Sequence, residues 1–339
     1  MRLSYSILLA GVFIIALAGA ALYFRIASVY GPYANPNYRS LHQRVTPRGG
    51  GIVIAASVLG VLLWLYCHGV LGLRSFLVFF AGGCVVGAAG FADDRFDIKP
   101  KYRLVLHFLA ASWIAVWFGG LPPIDFGFTQ INLGVFGHTL LVLACLWFYN
   151  LYNFIDGIDA MASAATIFIG VAMGLVMAIQ GQSDLALILG SLAVASIGFL
   201  MFNWPPAKMF LGDSGSSFIS YILSAVMLAS LARNAASIWV WLIVFAYYFS
   251  DTTSTTLVRA LTLSGWYLPH RSHAYQNLAR VWDNHLRMVL IVMAINLFWL
   301  LPIAIFAFRN PPYAPLATLI AYVPVTLFCL KYGPLFENQ

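Results

Sequence analysis

The chain has 339 residues, 62% of them hydrophobic and 9% charged, with a net charge of +7 and a mean hydropathy of +0.87. Water-soluble globular domains carry about 45–50% apolar and about 25% charged residues, so composition excludes that class. Lipid is the solvent for which this sequence is suited.

The apolar residues come in blocks, such as 7–24, 52–66 and 288–308. Each is near the roughly 20 residues that a helix needs to cross the hydrocarbon. In chain order, blocks and breaks predict eleven spans, near 3–24, 51–70, 75–92, 104–120, 135–155, 160–180, 185–202, 216–232, 236–257, 288–308 and 314–330. The expected fold is all-α: a polytopic integral membrane protein of ten or eleven transmembrane helices. It forms one transmembrane domain over 1–339, with a cytoplasmic loop at 259–287. The first block follows Arg2 as in a signal peptide, but so many later spans favour an uncleaved first helix. Cys67, Cys84, Cys145 and Cys329 lie in or beside apolar blocks, without CxxC spacing or a histidine cluster. They read as small core residues rather than disulfides or metal ligands.

The connections alternate in charge. Arg25, Arg39, Arg44, Arg48, Arg95, Lys99, Lys101, Arg103, Lys208, Arg259, Arg271, Arg280, Arg287 and Lys331 belong to one set; only Arg2, Arg74, Arg233 and Arg309 belong to the other. The positive-inside rule puts the rich set in the cytoplasm and the N-terminus outside. This rule and anionic headgroups account for the net charge, so no nucleic acid partner is expected. Nine of the eleven acids, all except Asp125 and Asp184, fall on or just beneath the same face. Acids contribute little to topology, so this sidedness points to a site.

Four polar islands carry it. Asp93-Asp94-Arg95-Phe96-Asp97 begins where the third span ends. Its carboxylates suit Mg²⁺, which usually takes one or two carboxylates plus substrate phosphates, or they can hold a charged substrate; a solvated loop of mixed charge has the same pattern. Asn150-Leu151-Tyr152-Asn153-Phe154-Ile155-Asp156-Gly157-Ile158-Asp159 ends the fifth span. Asp156 and Asp159 share a face if the segment is helical, and asparagines inside an apolar block are costly unless used. The segment 203–216 breaks at Pro205-Pro206, then brackets Asp213 with Gly212 and Gly215 just before a helix start. Free N–H groups there attract phosphate, and Lys208 adds a compact positive charge; an ordinary turn and N-cap is the plainer reading. Last, His270-Arg271-Ser272-His273 lacks a third metal ligand in sequence, so hydrogen bonding to a diphosphate is at least as plausible, with Arg271 as a bidentate partner.

Taken together, Asp-Asp-x-x-Asp, Asn-x-x-Asp-Gly-x-Asp, Asn-x-Pro-Pro-Ala-Lys-x-Phe-x-Gly-Asp-x-Gly-Ser and the late histidine motif resemble the polyprenyl-phosphate N-acetylhexosamine-1-phosphate transferases. That superfamily contains the MraY and WecA branches. Thr46-Pro47-Arg48-Gly49-Gly50-Gly51 looks like its Thr-Pro-x-x-Gly-Gly, and Arg-Ser-His-Ala-Tyr-Gln is similar to the O-antigen-initiating branch of WbpL type. The resemblance implies transfer of a sugar 1-phosphate from a UDP-N-acetylhexosamine-type sugar to undecaprenyl phosphate in the bacterial inner membrane. UMP would be released, and the cofactor would be Mg²⁺, with Mn²⁺ able to substitute. Residue by residue, it implies Asp213 as metal ligand and Asp93, Asp94, Asp156, Asp159 and His273 as catalytic. Asn153, Asn203, Phe210, Lys208, Lys101, Arg48, His270 and Arg271 would bind substrate, with Phe210 stacking on uracil and Asn203 lining its pocket. His270-x-x-His273 departs from the family's His-x-His-His or triple histidine. A homodimer is left open.

A phosphate monoester is already mostly dianionic at neutral pH, so Asp93 and Asp94 are expected mainly to position substrate, with proton abstraction second. Asp251 and Arg259, eight apart, are candidates to brace the histidine loop or to pair with each other. A secondary transporter would place acids near midspan and show repeat symmetry, neither of which is seen. A CDP-alcohol phosphatidyltransferase would carry Asp-Gly-x-x-Ala-Arg, whereas Asp156-Gly157 continues Ile158-Asp159-Ala160-Met161. MraY-like transfer of a phospho-muramoyl-pentapeptide remains an alternative.

Overall fold

The computed structural model describes residues 2–34, 45–262 and 270–336. Arg39, Arg44 and Glu337 lie outside the described residues, as does part of the 259–287 loop. Thirteen helices run through the described residues. They are α1 (Arg2–Tyr30), α2 (Ile52–Cys67), α3 (Leu73–Phe96), α4 (Pro100–Phe118), α5 (Gly134–Ile155), α6 (Met161–Ile179) and α7 (Ser183–Asn203). After these come α8 (Gly212–Ala232), α9 (Ile238–Val244), α10 (Ala246–Thr262), α11 (Ala274–Val281), α12 (His285–Arg309) and α13 (Ala314–Tyr332). Two short antiparallel pairs, Tyr33–Ala34 with Thr46–Pro47 and Ile124–Asp125 with Gln130–Ile131, are the only strands described. The four cysteines are free.

Eight of the described helices are long and apolar enough to cross a membrane: α1, α3, α5, α6, α7, α8, α12 and the segment Pro311–Tyr332 that contains α13. The other three expected spans are helical but fall short for separate reasons. At 16 residues α2 is about 24 Å long, less than the hydrocarbon thickness. Helix α4 opens with Lys101 and Arg103, and the ninth expected span is split at Phe245 into α9 and a hydroxyl-rich α10 that carries Asp251. The expected cytoplasmic loop also contains structure: α10 runs on to Thr262, α11 follows the histidine motif, and α12 begins at His285.

Helix α8 forms the axis, with 89% of its span buried, and α3, α5, α2, α4 and α7 pack around it. Its face is built of Ser214, Ser216, Ser217, Ser220 and Ser224, all buried. Small residues let helix backbones approach closely where no hydrophobic drive exists between them. Gly90 of α3 shows how closely: a Cβ there would lie 2.4 Å from the Asp213 carbonyl oxygen. Helices α6, α7 and α1 pack on one flank; α10, α13, α9 and α12 pack on the other.

The two loop sets gather at opposite ends of the bundle. At the charge-poor end Arg233 pairs with Asp184 at 2.8 Å, Trp239 Nε1 donates to the Asp125 carbonyl at 2.5 Å, and Arg74 donates to the Trp117 carbonyl. The motif residues occupy the other end.

Candidate active site

The end of α3 and the start of α8 are joined through one carboxylate. Asp94 is 1% exposed and accepts the Asp213 N–H on Oδ1 at 3.0 Å and the Ser214 N–H on Oδ2 at 2.9 Å. An anion at a helix N-terminus satisfies otherwise unpaired amides and meets the positive end of the dipole. These amides were expected to be free for phosphate; the chain fills them with its own carboxylate. Gly212 makes the approach feasible. It adopts φ +76°, and a Cβ would sit 2.6 Å from both Asp94 oxygens.

Around this junction stand the other acids. Arg103 Nη1 lies 2.7 Å from Asp93 Oδ2 and 3.1 Å from Asp213 Oδ2, so two carboxylates face one point. Asn153 donates to Asp213 Oδ1 and lies 3.4 Å from Ser216 Oγ. Asp156 follows the end of α5. Burial, and then the negative charges of Asp213 and Asp94, push its carboxyl well above the ordinary carboxylate range, although a hydrogen bond from the Gly212 N–H opposes this.

The Thr-Pro-Arg segment and the Phe210 loop interlock by backbone bonds: Phe210 N–H to Pro47 carbonyl at 2.9 Å and Gly50 N–H to Phe210 carbonyl at 3.0 Å. Arg48 donates from Nε to the Asp94 carbonyl at 2.9 Å and from Nη2 to Asp97 at 2.5 Å. Asn203 was expected to line a nucleotide pocket. It is 3% exposed, and its carboxamide is engaged by the Ala160 N–H, the Ser163 hydroxyl and the Met209 carbonyl. It braces the loop from behind. Asp159 accepts the Ala207 N–H at 3.0 Å, Lys208 is exposed, and Phe210 is partly buried.

The histidine segment docks on the end of α5. The His273 ring lies 5.7 Å from Phe154 and 5.0 Å from His270, and the Tyr275 hydroxyl donates to the Phe154 carbonyl. Asp251 accepts the Ala274 and Tyr275 N–H groups at 2.8 and 3.3 Å, and its Oδ1 lies 3.7 Å from His273 Nδ1. Arg259 donates to the Ser272 hydroxyl at 3.2 Å. Of the two expected roles, both residues take the bracing one. Burial, then the charges of His273 and Arg259, push the His270 imidazole down to about 3. Arg271 between them is partly exposed.

Two functional-looking residues escaped the sequence, and one named there lies apart. Lys101 is exposed with its ammonium 5.0 Å over the Tyr102 ring, whereas Arg103, two positions on, enters the carboxylate cluster. His285 contacts Asp159 at 3.3 Å. Asp94, Asp159 and Asp213, far apart in sequence, all lie near enough to Asp156 for their charges to act on its carboxyl, at one end of the bundle. Among the described residues no three Asp, Glu, His or Cys side chains form a ready metal cluster. The donor chemistry nevertheless fits Mg²⁺: Asp93 and Asp213 already share one cationic atom, and two carboxylates plus substrate phosphates are what Mg²⁺ usually takes.

Comparison with known proteins gives a consistent picture. A glycosyl transferase family 4 model matches residues 76–231. A protein of Bacillus subtilis (strain 168) named "Probable undecaprenyl-phosphate N-acetylglucosaminyl 1-phosphate transferase" is 28% identical over 280 residues, covering 80% of this chain and 76% of the relative. A phospho-N-acetylmuramoyl-pentapeptide-transferase of Streptococcus pneumoniae (strain CGSP14) is 30% identical over 264 residues, covering 72% of this chain and 78% of the relative. With most of both chains aligned and the motif carboxylates gathered at one site, the chain belongs to glycosyl transferase family 4, the superfamily of the MraY and WecA polyprenyl-phosphate sugar-phosphate transferases.

Proposed function

We propose that the protein transfers an N-acetylhexosamine-type sugar 1-phosphate from a UDP-sugar to undecaprenyl phosphate, with Mg²⁺ as cofactor, and so begins an envelope glycan of O-antigen type. The observation that carries this reading is the junction of Asp93, Arg103 and Asp213 beside the α3–α8 contact. It opens onto a groove walled by Val85, Val86, Ala89 and Leu106. A charged end and apolar walls suit a lipid phosphate. The site end faces the cytoplasm, on the strength of the Lys and Arg count.

In this mechanism a lipid-phosphate oxygen attacks the β-phosphorus of the donor. The bond from that phosphorus to the bridging oxygen breaks, and UMP leaves. The nucleophile is already mostly dianionic at neutral pH, so the chain's task is positioning and charge compensation. Asp94 has both oxygens committed to backbone amides, which supports a positioning role over a base. Arg103 and Lys208 offer positive charge to the phosphates. Asp93 and Asp213 would hold Mg²⁺, whose chemistry is neutralisation of charge on the diphosphate. The Streptococcus relative favours a second reading in which the sugar is a muramoyl-pentapeptide. One experiment tests both: purified protein, undecaprenyl phosphate, Mg²⁺ and a panel of UDP-sugars including UDP-muramoyl-pentapeptide, with UMP measured. UMP from a UDP-N-acetylhexosamine supports the first reading, and UMP from the pentapeptide donor alone supports the second. Folded protein that yields none defeats both.

A further inference from the structure

His285 opens α12, a few residues beyond the helix that follows the histidine motif. Its Nδ1 lies 3.3 Å from Asp159 Oδ2 and 3.4 Å from the Asp159 backbone nitrogen. The same Oδ2 accepts the Ala207 N–H at 3.0 Å. One oxygen therefore ties together the turn after α5, the loop that carries Lys208, and the start of α12. The imidazole side chain is 18% exposed and the carboxylate 11%, so water competes weakly for either. The backbone beneath the ring is fixed, because Asn284 caps α12 by accepting the Arg287 N–H at 2.8 Å.

Nδ1 meets the Asp159 N–H with a lone pair and is the acceptor in the hydrogen bond between them. Oδ2, 3.3 Å from the same nitrogen, keeps the Ala207 N–H as its hydrogen-bond donor.

We propose that His285 is a positioning residue for the sugar-nucleotide donor: it holds the Asp159 turn, and through the Asp159 carboxylate and the Ala207 amide the Lys208 loop, in the register that the donor's diphosphate requires. The inference rests on the transferase reading above. Without the imidazole the Asp159 N–H loses its acceptor, the turn is free to shift, and the Ala207 N–H loses a fixed acceptor. The groove that would take the lipid phosphate, walled by Val85, Val86, Ala89 and Leu106, includes neither His285 nor Asp159, so only the donor side loosens.

The test is steady-state UMP release by the full-length purified protein, with donor and acceptor varied separately, for the wild type and His285→Ala, His285→Gln and His285→Asn. An asparagine amide oxygen stands the same number of bonds from Cα as Nδ1 and can accept in its place, and a glutamine oxygen stands one further. Leaving a buried polar contact unmade corresponds to a donor KM raised roughly tenfold in His285→Ala, with the acceptor KM unchanged. His285→Asn restores the donor KM to within about threefold of wild type, and His285→Gln does not. Equal rises in both KM values, or an asparagine variant no better than alanine, overturns the role of His285 while leaving the transferase reading intact. A folded wild type that releases no UMP from any donor overturns both.

Discussion

Asp94 and Ser214 stand 120 positions apart, and the amide of the second donates to the carboxylate of the first across 2.9 Å. With the Asp213 amide on the other oxygen, the last turn of α3 serves as the N-cap of α8. That role differs from the usual cap, where a side chain just before the helix supplies the oxygen.

Removal of this carboxylate should therefore act on structure and rate together. Asp94→Ala leaves two buried amides without acceptors, at roughly 1–3 kcal/mol each, and should lower the melting temperature as well as activity. Asp94→Asn keeps one acceptor oxygen and should fall between. In a positioning role, its rate drops at every pH and the pH–rate profile keeps its shape. A basic limb that vanishes or shifts in Asp94→Asn would instead assign proton abstraction to this residue.

Gly212→Ala should be as damaging as the loss of Asp94. The position combines φ +76° with a Cβ that would meet both carboxylate oxygens. Strain from positive φ costs about 1–2 kcal/mol, and the displaced carboxylate adds to it. Thermal melting and UMP release measured side by side check this. Wild-type values in both would show that the α3–α8 junction tolerates displacement.

Arg103 and Mg²⁺ are competitors for the Asp93–Asp213 pair. Arg103→Gln removes the resident cation and leaves two acids facing one point, so added Mg²⁺ should raise the melting temperature more in this variant than in wild type. A ligand that binds only the folded state stabilises it by RT ln(1 + [L]/Kd), so the better site gives the larger shift. Equal Mg²⁺ shifts in the two proteins would remove Asp93 and Asp213 from the metal site.

His270 makes the fold acid-sensitive. Its folded value of about 3 lies below the roughly 6.5 of an unfolded histidine. A depressed histidine stabilises while neutral, so its contribution is complete above about pH 6.5 and is lost as the pH falls from there toward about 3. His270→Gln should flatten the decline in melting temperature between about pH 7 and about pH 4. An unchanged slope would mean that His270 is better hydrated than its surroundings indicate.

The helices and the sidedness of their charge were legible because lipid imposes a length and an apolar composition that few other contexts demand. The motif carboxylates were legible as types and as a group. Which cation meets them was not, because Lys101 stands closer to the Asp93-Asp94 pair in sequence than Arg103 does. Helix phase separates the two: they differ by about 200° around α4, so they face opposite ways. Arg103 shares its face with His107, Ala110, Ala111 and Ile114, the inward row, whereas Lys101 lines up with exposed Val105 and Phe108. That spacing was present in the sequence and would have singled out Arg103. His285 left no comparable trace, since its partner lies 126 residues away and only the packed structure brings them together. Nor could spacing show what Asn203 bonds to: burial turns its carboxamide toward Ala160, Ser163 and Met209.

Helix α8 carries Asp213 at its tip and is enclosed along almost its whole length, whereas only 17% of the α1 span and 28% of the α12 span are buried. Changes in bilayer thickness, acyl-chain order or detergent bear first on those outer helices. The carboxylate cluster hangs from an inner post that the surrounding solvent barely touches. A shift in lipid composition should consequently alter acceptor delivery well before it disturbs the spacing of the acids.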